Sequence, residues 1–204
     1  MSQAPSSQGP SSKGRSVIGL LLAAVAVAIV SMSFALMVKK EMAPRGGLEP
    51  GAVMPAIHVE GWLNGPGPAD DSLKGKVLVV DAWAHWCGPC LAEAPHLVSA
   101  YDEFHDRGVV FIGLTGDPKS DVDKMKDFLK KGKVKWPCGY GATHTLEALK
   151  TQMIPQIWVV GTDGRIQWNI DSGGKLEDAI EEALSSSSSR VADNSQSQEG
   201  RGKQ

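Results

Sequence analysis

The chain predicts an α/β fold, a mixed β-sheet flanked by helices, and three observations carry that prediction. Short β-branched apolar runs alternate with segments of helical period, the order of a layered α/β unit. A Cys87-Gly88-Pro89-Cys90 motif stands where one such run gives way to a helical segment. A later run, Ile157–Val160, follows Pro155 and turns through Thr162-Asp163-Gly164 into Ile166–Trp168, the pattern of a hairpin.

The first segments read as follows. Residues 1–16 are rich in Ser, Gln, Gly and Pro and are expected to be disordered. Val17 to Val38 holds no charged residue, and at about 1.5 Å per residue it is long enough to cross a bilayer core of ~30 Å. A buried core helix would be the alternative, but the segment lacks a polar face. Ser33-Phe34-Ala35 has a small-X-small pattern behind the basic Lys13 and Arg15, as a cleaved leader would. The apolar stretch exceeds the usual leader core, so an uncleaved transmembrane signal anchor over 17–38 is expected. Lys13 and Arg15 on one side and Lys39, Lys40 and Arg45 on the other leave the orientation open. Residues 39–50 read as a stalk, 51–184 as one folded domain, and 185–204, opening on Ser185 to Ser189, as a flexible tail.

Within the domain, the expected order starts with a short strand near Ile57 and a buried strand over Lys76–Ala82. Leu91, Ala94, Leu97, Val98, Tyr101 and Phe104 recur at helical spacing, and Pro95 should bend that helix rather than end it. A strand over Val109–Leu114, a helix over Asp121–Lys131 capped by Ser120, and a short helix near Thr145–Thr151 follow. The hairpin and a helix over Leu176–Leu184 complete the domain. A net charge of −2 gives no basis for a nucleic-acid partner.

Two cysteines spaced Cys-X-X-Cys can exchange one disulfide for another, because one thiolate attacks and the second thiol resolves. At a helix start the first sulfur, Cys87, gains from unpaired amides and the macrodipole, and Cys90 lies a turn inward, more buried. Trp86 borders a hydrophobic docking surface in this reading. The same spacing is also half a zinc site. Cys138 reads as a small buried residue.

The segment Asp81-Ala82-Trp83-Ala84-His85-Trp86-Cys87-Gly88-Pro89-Cys90 resembles the active site of thioredoxin-fold proteins. With Gly75-Lys76-Val77 and Cys90-Leu91-Ala92-Glu93-Ala94-Pro95, the likeness extends to the membrane-anchored TlpA/ResA-type thiol–disulfide oxidoreductases, over about Gly51 to Leu184. It implies a thioredoxin-like fold, with Cys87 as nucleophile and Cys90 as resolving thiol. Substrate would meet Trp86, Gly88, Pro89, Ile154 and a cis Pro155, the backbone of Ile154 pairing with an extended segment. Such proteins often carry Thr after this proline; here it is Gln156. Asp81 matches the buried carboxylate behind the cysteines and would take the proton of Cys90, its alternative being a strand-end Asp bonded to local amides. The lysine that thioredoxins place beside it is replaced by Gly113, which should make Asp81 harder to ionise. Glu93 matches a TlpA/ResA glutamate that influences the cysteines, or is a solvated first-turn residue. His85 would add a cation beside Cys87, or be inert.

The resemblance further implies reduction of protein disulfides, with no cofactor beyond the Cys87–Cys90 disulfide and no metal. Disulfide-containing proteins and a membrane thiol donor would be the partners, the domain would face outside the cytoplasm, and apocytochrome reduction is a family precedent. A thiol peroxidase, which would set Thr and Arg around its cysteine, a metal-binding carrier and a non-catalytic scaffold are the alternatives.

Overall fold

The computed structural model describes residue 19 and residues 21–32 and 46–186. The chain divides into two units, one ending at Pro44 and one starting at Arg45. In the first, residues 21–32 form α1, whose apolar side chains, among them Leu22, Val27 and Val30, are exposed. Residues 17, 18, 20 and 33–38 of the expected anchor lie outside the described residues, as do residues 1–16, 39–45 and 187–204 of the expected tails and stalk. Among the described residues, no helix is long and apolar enough to cross a membrane.

The second unit is a six-stranded mixed sheet with helices on both faces. Its strands are β1 (Gly61–Leu63), β2 (Leu78–Ala82), β3 (Val110–Leu114), β4 (Cys138–Tyr140), β5 (Gln156–Val160) and β6 (Ile166–Asn169), in the order β1-β4-β3-β2-β5-β6. β2 and β3 run parallel, as do β3 and β4, while β1 and the β5–β6 hairpin pair antiparallel. β2 is buried along its whole length and alternates between the two faces. Val79 meets Phe111 and Val159 in one core, and Val80 meets Ile112 and Trp158 in the other. Each such fully buried apolar side chain stabilises the fold by about 1.5–3 kcal/mol.

The first face is covered by α3 (Gly88–Phe104), α4 (Val122–Gly132) and a last helix, α6, over 176–186. Leu97 and Ala100 of α3, Met125 and Leu129 of α4 and Ile180 of α6 enter this core. The second face carries α5 (Thr143–Ala148) and Leu149. Pro95 lies inside α3, which continues past it.

Several elements differ from expectation. No strand forms at Ile57; the first strand begins at Gly61 and pairs with β4, a three-residue strand too short to leave a periodic signal. The short helix α2 (Asp70–Leu73) was also unforeseen. Ser120 does not cap α4, because a 3₁₀ turn over Lys119–Asp121 takes it up and places Asp121 at the helix start. The helix α6 runs two residues past Leu184, into the expected tail.

Residues 46–50, placed in the stalk by the sequence, belong to the domain. Leu48 N–H donates to the Leu149 carbonyl at 2.8 Å, and the Leu48 carbonyl accepts from Trp158 Nε1 at 3.2 Å and Asn169 Nδ2 at 3.3 Å. Gln156 Nε2 donates to the Gly46 carbonyl. Gly47 has φ +108°, and a Cβ there would stand 2.7 Å from Gln156 Nε2, so this strap can lie on the sheet only as glycine.

Candidate active site

The site forms where β2 hands the chain to α3. Trp83 N–H donates to the Leu114 carbonyl at 3.0 Å, extending the β2–β3 ladder one step, and then the chain turns outward. Cys87 N–H bonds the Ala84 carbonyl at 3.0 Å, and Cys87 becomes the N-cap of α3. Its sulfur accepts from Cys90 N–H at 3.1 Å, in the way a serine or aspartate oxygen caps a helix. That bond and the helix dipole favour negative charge on Cys87 Sγ. Pro89 sits in the first turn, where a missing N–H costs nothing.

Cys87 and Cys90 are joined in a disulfide. Cys90 is not the more buried of the two: in the disulfide state both are buried to the same degree, Cys87 at 4% and Cys90 at 5% exposure. Trp86 is 69% exposed, and Gly88 and Pro89 are exposed beside it.

Behind the disulfide lies Asp81, buried on β2. Its pKa is raised from 3.8 to about 7, first by burial and then by the negative charge of Glu93. Asp81, Trp83, Cys90 and Cys138 line a small enclosed cavity, closed by apolar residues that include Leu97 and Phe128. No lysine lines it. Burial pushes the Cys138 thiol well above its usual range, and the charge of Asp81 adds to the effect.

Glu93, half-buried on α3, accepts a hydrogen bond from His96 Nδ1 at 2.8 Å, and His96 Nε2 reaches Glu177 of α6 at 2.9 Å. The bond to Glu93 raises the His96 pKa above its ordinary value. Glu93 is thus a paired residue whose charge reaches Asp81. His85 is held by Asp117, a residue the sequence reading missed. Asp117 Oδ2 accepts from His85 N–H at 2.9 Å, and His85 Nδ1 lies 2.9 Å from that oxygen without hydrogen-bond geometry. The one available signal was the position of Asp117, just beyond β3 on the edge of the sheet that carries the cysteines.

The peptide bond between Ile154 and Pro155 is cis. Ala82 pairs with Gln156, so Pro155 stands beside the point where the chain leaves β2 for the cysteines. Ile154 is half-buried against both cores. Gln156 itself is fully buried and committed to the strap. A surface cleft of about 500 Å³, lined by Arg165, Trp168, Lys175 and Glu182 among others, contains none of these residues.

A family model described as AhpC/TSA matches residues 51–169. The chain belongs to the AhpC/TSA family. Within it, the expected likeness to the ResA-type oxidoreductases holds. The thiol-disulfide oxidoreductase ResA of Bacillus thuringiensis subsp. konkukian is 29% identical over 114 residues, 54% of this chain and 63% of that protein. Protein DipZ of Mycobacterium bovis is 39% identical over 77 residues, 36% of this chain but 11% of DipZ. The chain therefore spans less than two thirds of either relative. The crystal structure of the thioredoxin domain of a thiol-disulfide oxidoreductase from Bacteroides vulgatus superposes with a TM-score of 0.59 at 26% identity, covering 67% of this chain and 99% of that one. A thiol-disulfide isomerase from Corynebacterium glutamicum, 21% identical with a TM-score of 0.55 over 67% of this chain and 96% of that one, shares the fold. The fold is thioredoxin-like.

Proposed function

We propose that this chain is a membrane-tethered thiol–disulfide oxidoreductase that reduces disulfides in other proteins. The observation that carries the reading is Cys87 as the N-cap of α3, its sulfur facing an amide and its flank formed by the exposed Trp86. In the reduced state the Cys87 thiolate attacks one sulfur of a substrate disulfide and releases the other as thiolate, leaving a mixed disulfide. Cys90 then gives its proton to the Asp81 carboxylate and attacks Cys87 Sγ. That step frees the second substrate thiolate and leaves the Cys87–Cys90 disulfide, the state described above. A carboxyl with a pKa of about 7 is poised to take a proton at neutral pH. Ile154 and Pro155, with Trp86, Gly88 and Pro89, form the docking rim.

The uncharged run Val17–Val38 supports the tether, and the likeness to ResA supports a domain outside the cytoplasm. There, reduction must be renewed by a membrane thiol donor, and cysteines of apocytochromes are candidate substrates. A peroxidase is disfavoured, since the described arginines are engaged elsewhere. Arg107 forks onto Glu181 at 2.6 and 2.8 Å, and Arg165 binds the Gly51 carbonyl at 2.8 Å.

The test is insulin reduction by the pre-reduced full chain. Cys87→Ser should abolish turnover, and Cys90→Ser should accumulate mixed disulfides visible on non-reducing gels. Full activity in Cys87→Ser would sink the assignment.

A further inference from the structure

Glu93 stands three residues past Cys90 on α3, and His96 three residues past Glu93, so the carboxylate and the imidazole meet on one face of that helix. His96 Nδ1 lies 2.8 Å from Glu93 Oε1, and His96 Nε2 lies 2.9 Å from Oε1 of Glu177, the second residue of α6. An ionised carboxylate only accepts hydrogen bonds, so both contacts are bonds only when both ring nitrogens carry a proton. A neutral imidazole has a single N–H; it would serve one carboxylate and turn a lone pair on the other. The bridge is complete only with His96 as an imidazolium, and the direction of its pKa, raised first by the bond to Glu93, agrees.

A second clamp joins the same two helices. Arg107, just past α3, forks onto Glu181, one turn along α6 from Glu177, at 2.6 and 2.8 Å. Arginine keeps its charge throughout the range in which an imidazole titrates, and Ile180 and Ala183 of α6 are fully buried in the shared core. The His96 bridge is therefore not what docks α6. What it governs is charge. Ala94, next to Glu93, lines the small cavity that Asp81 and Cys90 share. The charge of Glu93 is the cause, second to burial, that makes Asp81 hold its proton. Neighbouring carboxylates each disfavour ionisation of the other, and a cation on one of them offsets that repulsion. Side-chain exposure is 48% at His96, 30% at Glu93 and 27% at Glu177, so water weakens the effect without abolishing it.

We propose that His96 is a positioning residue of the resolution step: as an imidazolium it holds Glu93 toward Glu177 of α6 and shields Asp81 from the charge of Glu93. The inference rests on the reading of Asp81 as proton acceptor. While the ring is charged, Asp81 ionises more readily, and a larger share of it is ready to take the Cys90 proton. When the ring loses its proton, the charge of Glu93 is uncovered, Asp81 holds its own proton more tightly, and that share falls. Among the described residues, the charged groups that face His96 are Glu93 from α3 and Glu177 from α6. Those that face Asp81 are Cys90 and Glu93 from α3 and Cys138 from β4, while α4 offers Phe128 and Leu129 and β5 offers Ile157. Because loss of one proton tightens the hold on the other, Asp81 should titrate over a wider pH range than an isolated acid.

The test follows the Asp81 carboxyl carbon by ¹³C spectroscopy in the oxidised full chain, where Cys87 and Cys90 are bonded and do not titrate. The parent curve should be broader than that of a single proton. His96→Gln keeps a side-chain donor but no charge. It should sharpen the curve to a single proton and move the midpoint up by about 0.3 pH unit, the scale of an exposed helix ion pair. His96→Arg, whose charge does not titrate in this range, should also give a single-proton curve, with its midpoint at or below that of the parent. Added salt should narrow the gap between the two variants. Gln and Arg behaving alike would show that charge is not involved and overturns the proposal, as does a midpoint that His96→Gln leaves in place. Glu177→Gln removes one of the carboxylates that keep the ring charged, and should move Asp81 in the same direction by less. Should His96→Gln fail to fold, Glu177→Gln and the parent curve decide: an unmoved midpoint overturns the proposal. In the reduced protein the pH midpoint of mixed-disulfide resolution should follow that of Asp81 from variant to variant. If Asp81→Asn slows resolution but the pH profile is the same in His96→Gln and His96→Arg, the base stands and the role of His96 is wrong. If Asp81→Asn changes nothing, the base reading fails and this proposal falls with it.

Discussion

On the outer side of the Cys87–Cys90 pair, Trp86, Gly88 and Pro89 stand in solvent, whereas on the inner side Asp81, Trp83 and Cys138 are sealed beneath α3 and α4. The difference separates two tasks that a dithiol must perform in sequence. Attack on a large substrate needs an accessible apolar rim and a sulfur at a helix start, which the outer side supplies. Resolution needs a proton acceptor that holds its proton near neutral pH, and burial, with the charge of Glu93 added, shifts the Asp81 carboxyl that far. One turn of helix keeps the two environments apart.

Removing the inner carboxyl should have the largest effect. Asp81→Asn is expected to slow mixed-disulfide resolution about 100-fold at pH 7, the lower range for a lost general base, measured by quenched-flow trapping. It should also change stability. Because the folded Asp81 binds its proton more tightly than the usual value of 3.8, with a pKa of about 7, the oxidised fold loses stability as pH rises between those values. The loss is about 4 kcal/mol and is complete above pH 7. Urea unfolding of the oxidised chain should therefore show the wild type weaker at pH 8 than at pH 4 through this group, with that component absent in Asp81→Asn. A flat profile in both proteins would remove the buried acid from the account.

Removing the outer rim should cost less and cost it selectively. Trp86→Ala is expected to lower kcat/KM for a protein disulfide about tenfold, as loss of an exposed aromatic anchor does, while leaving a small-molecule disulfide almost unaffected. Equal losses with both substrates would place Trp86 in the chemistry instead. The smallest effect belongs to the charge that reaches from one side to the other. Glu93→Gln removes a negative neighbour of Asp81, so the Asp81 midpoint should fall toward acid. The fall is smaller than the burial effect, which remains, and a ¹³C titration of the Asp81 carboxyl would measure it.

The outer side was largely legible in the sequence, because its parts are local. A β-branched run, a cysteine pair and a helical repeat stand within thirty residues of one another, and each carries its own signal. Its place before a strand marked Pro155 only as a strand-opening proline, and its cis bond was legible through the family likeness alone. On the inner side the likeness to thioredoxins pointed to Asp81 and set Gly113 beside it, and Cys138 read as a small buried residue; how these groups meet did not show. Trp83, Gly113 and Cys138 meet through the pairing of β2, β3 and β4, and β4 is three residues long with a glycine at its centre. No periodicity announces such a strand. The strap over 46–50 escaped for a different reason: it is held through the backbone carbonyls of Gly46 and Leu48, which no residue type betrays.

That strap decides how choosy the rim can be. The side chain of Gln156 lies on the face of the sheet opposite the cysteines, spent on anchoring Gly46, and Trp158 behind it is spent on Leu48. The position that follows Pro155 thus offers a visiting peptide no side chain with which to discriminate. Under the proposed activity, what a client presents there is read by its main chain, which all proteins have in common. Selection among clients then falls to encounter, to which proteins come within reach, rather than to a sequence they carry.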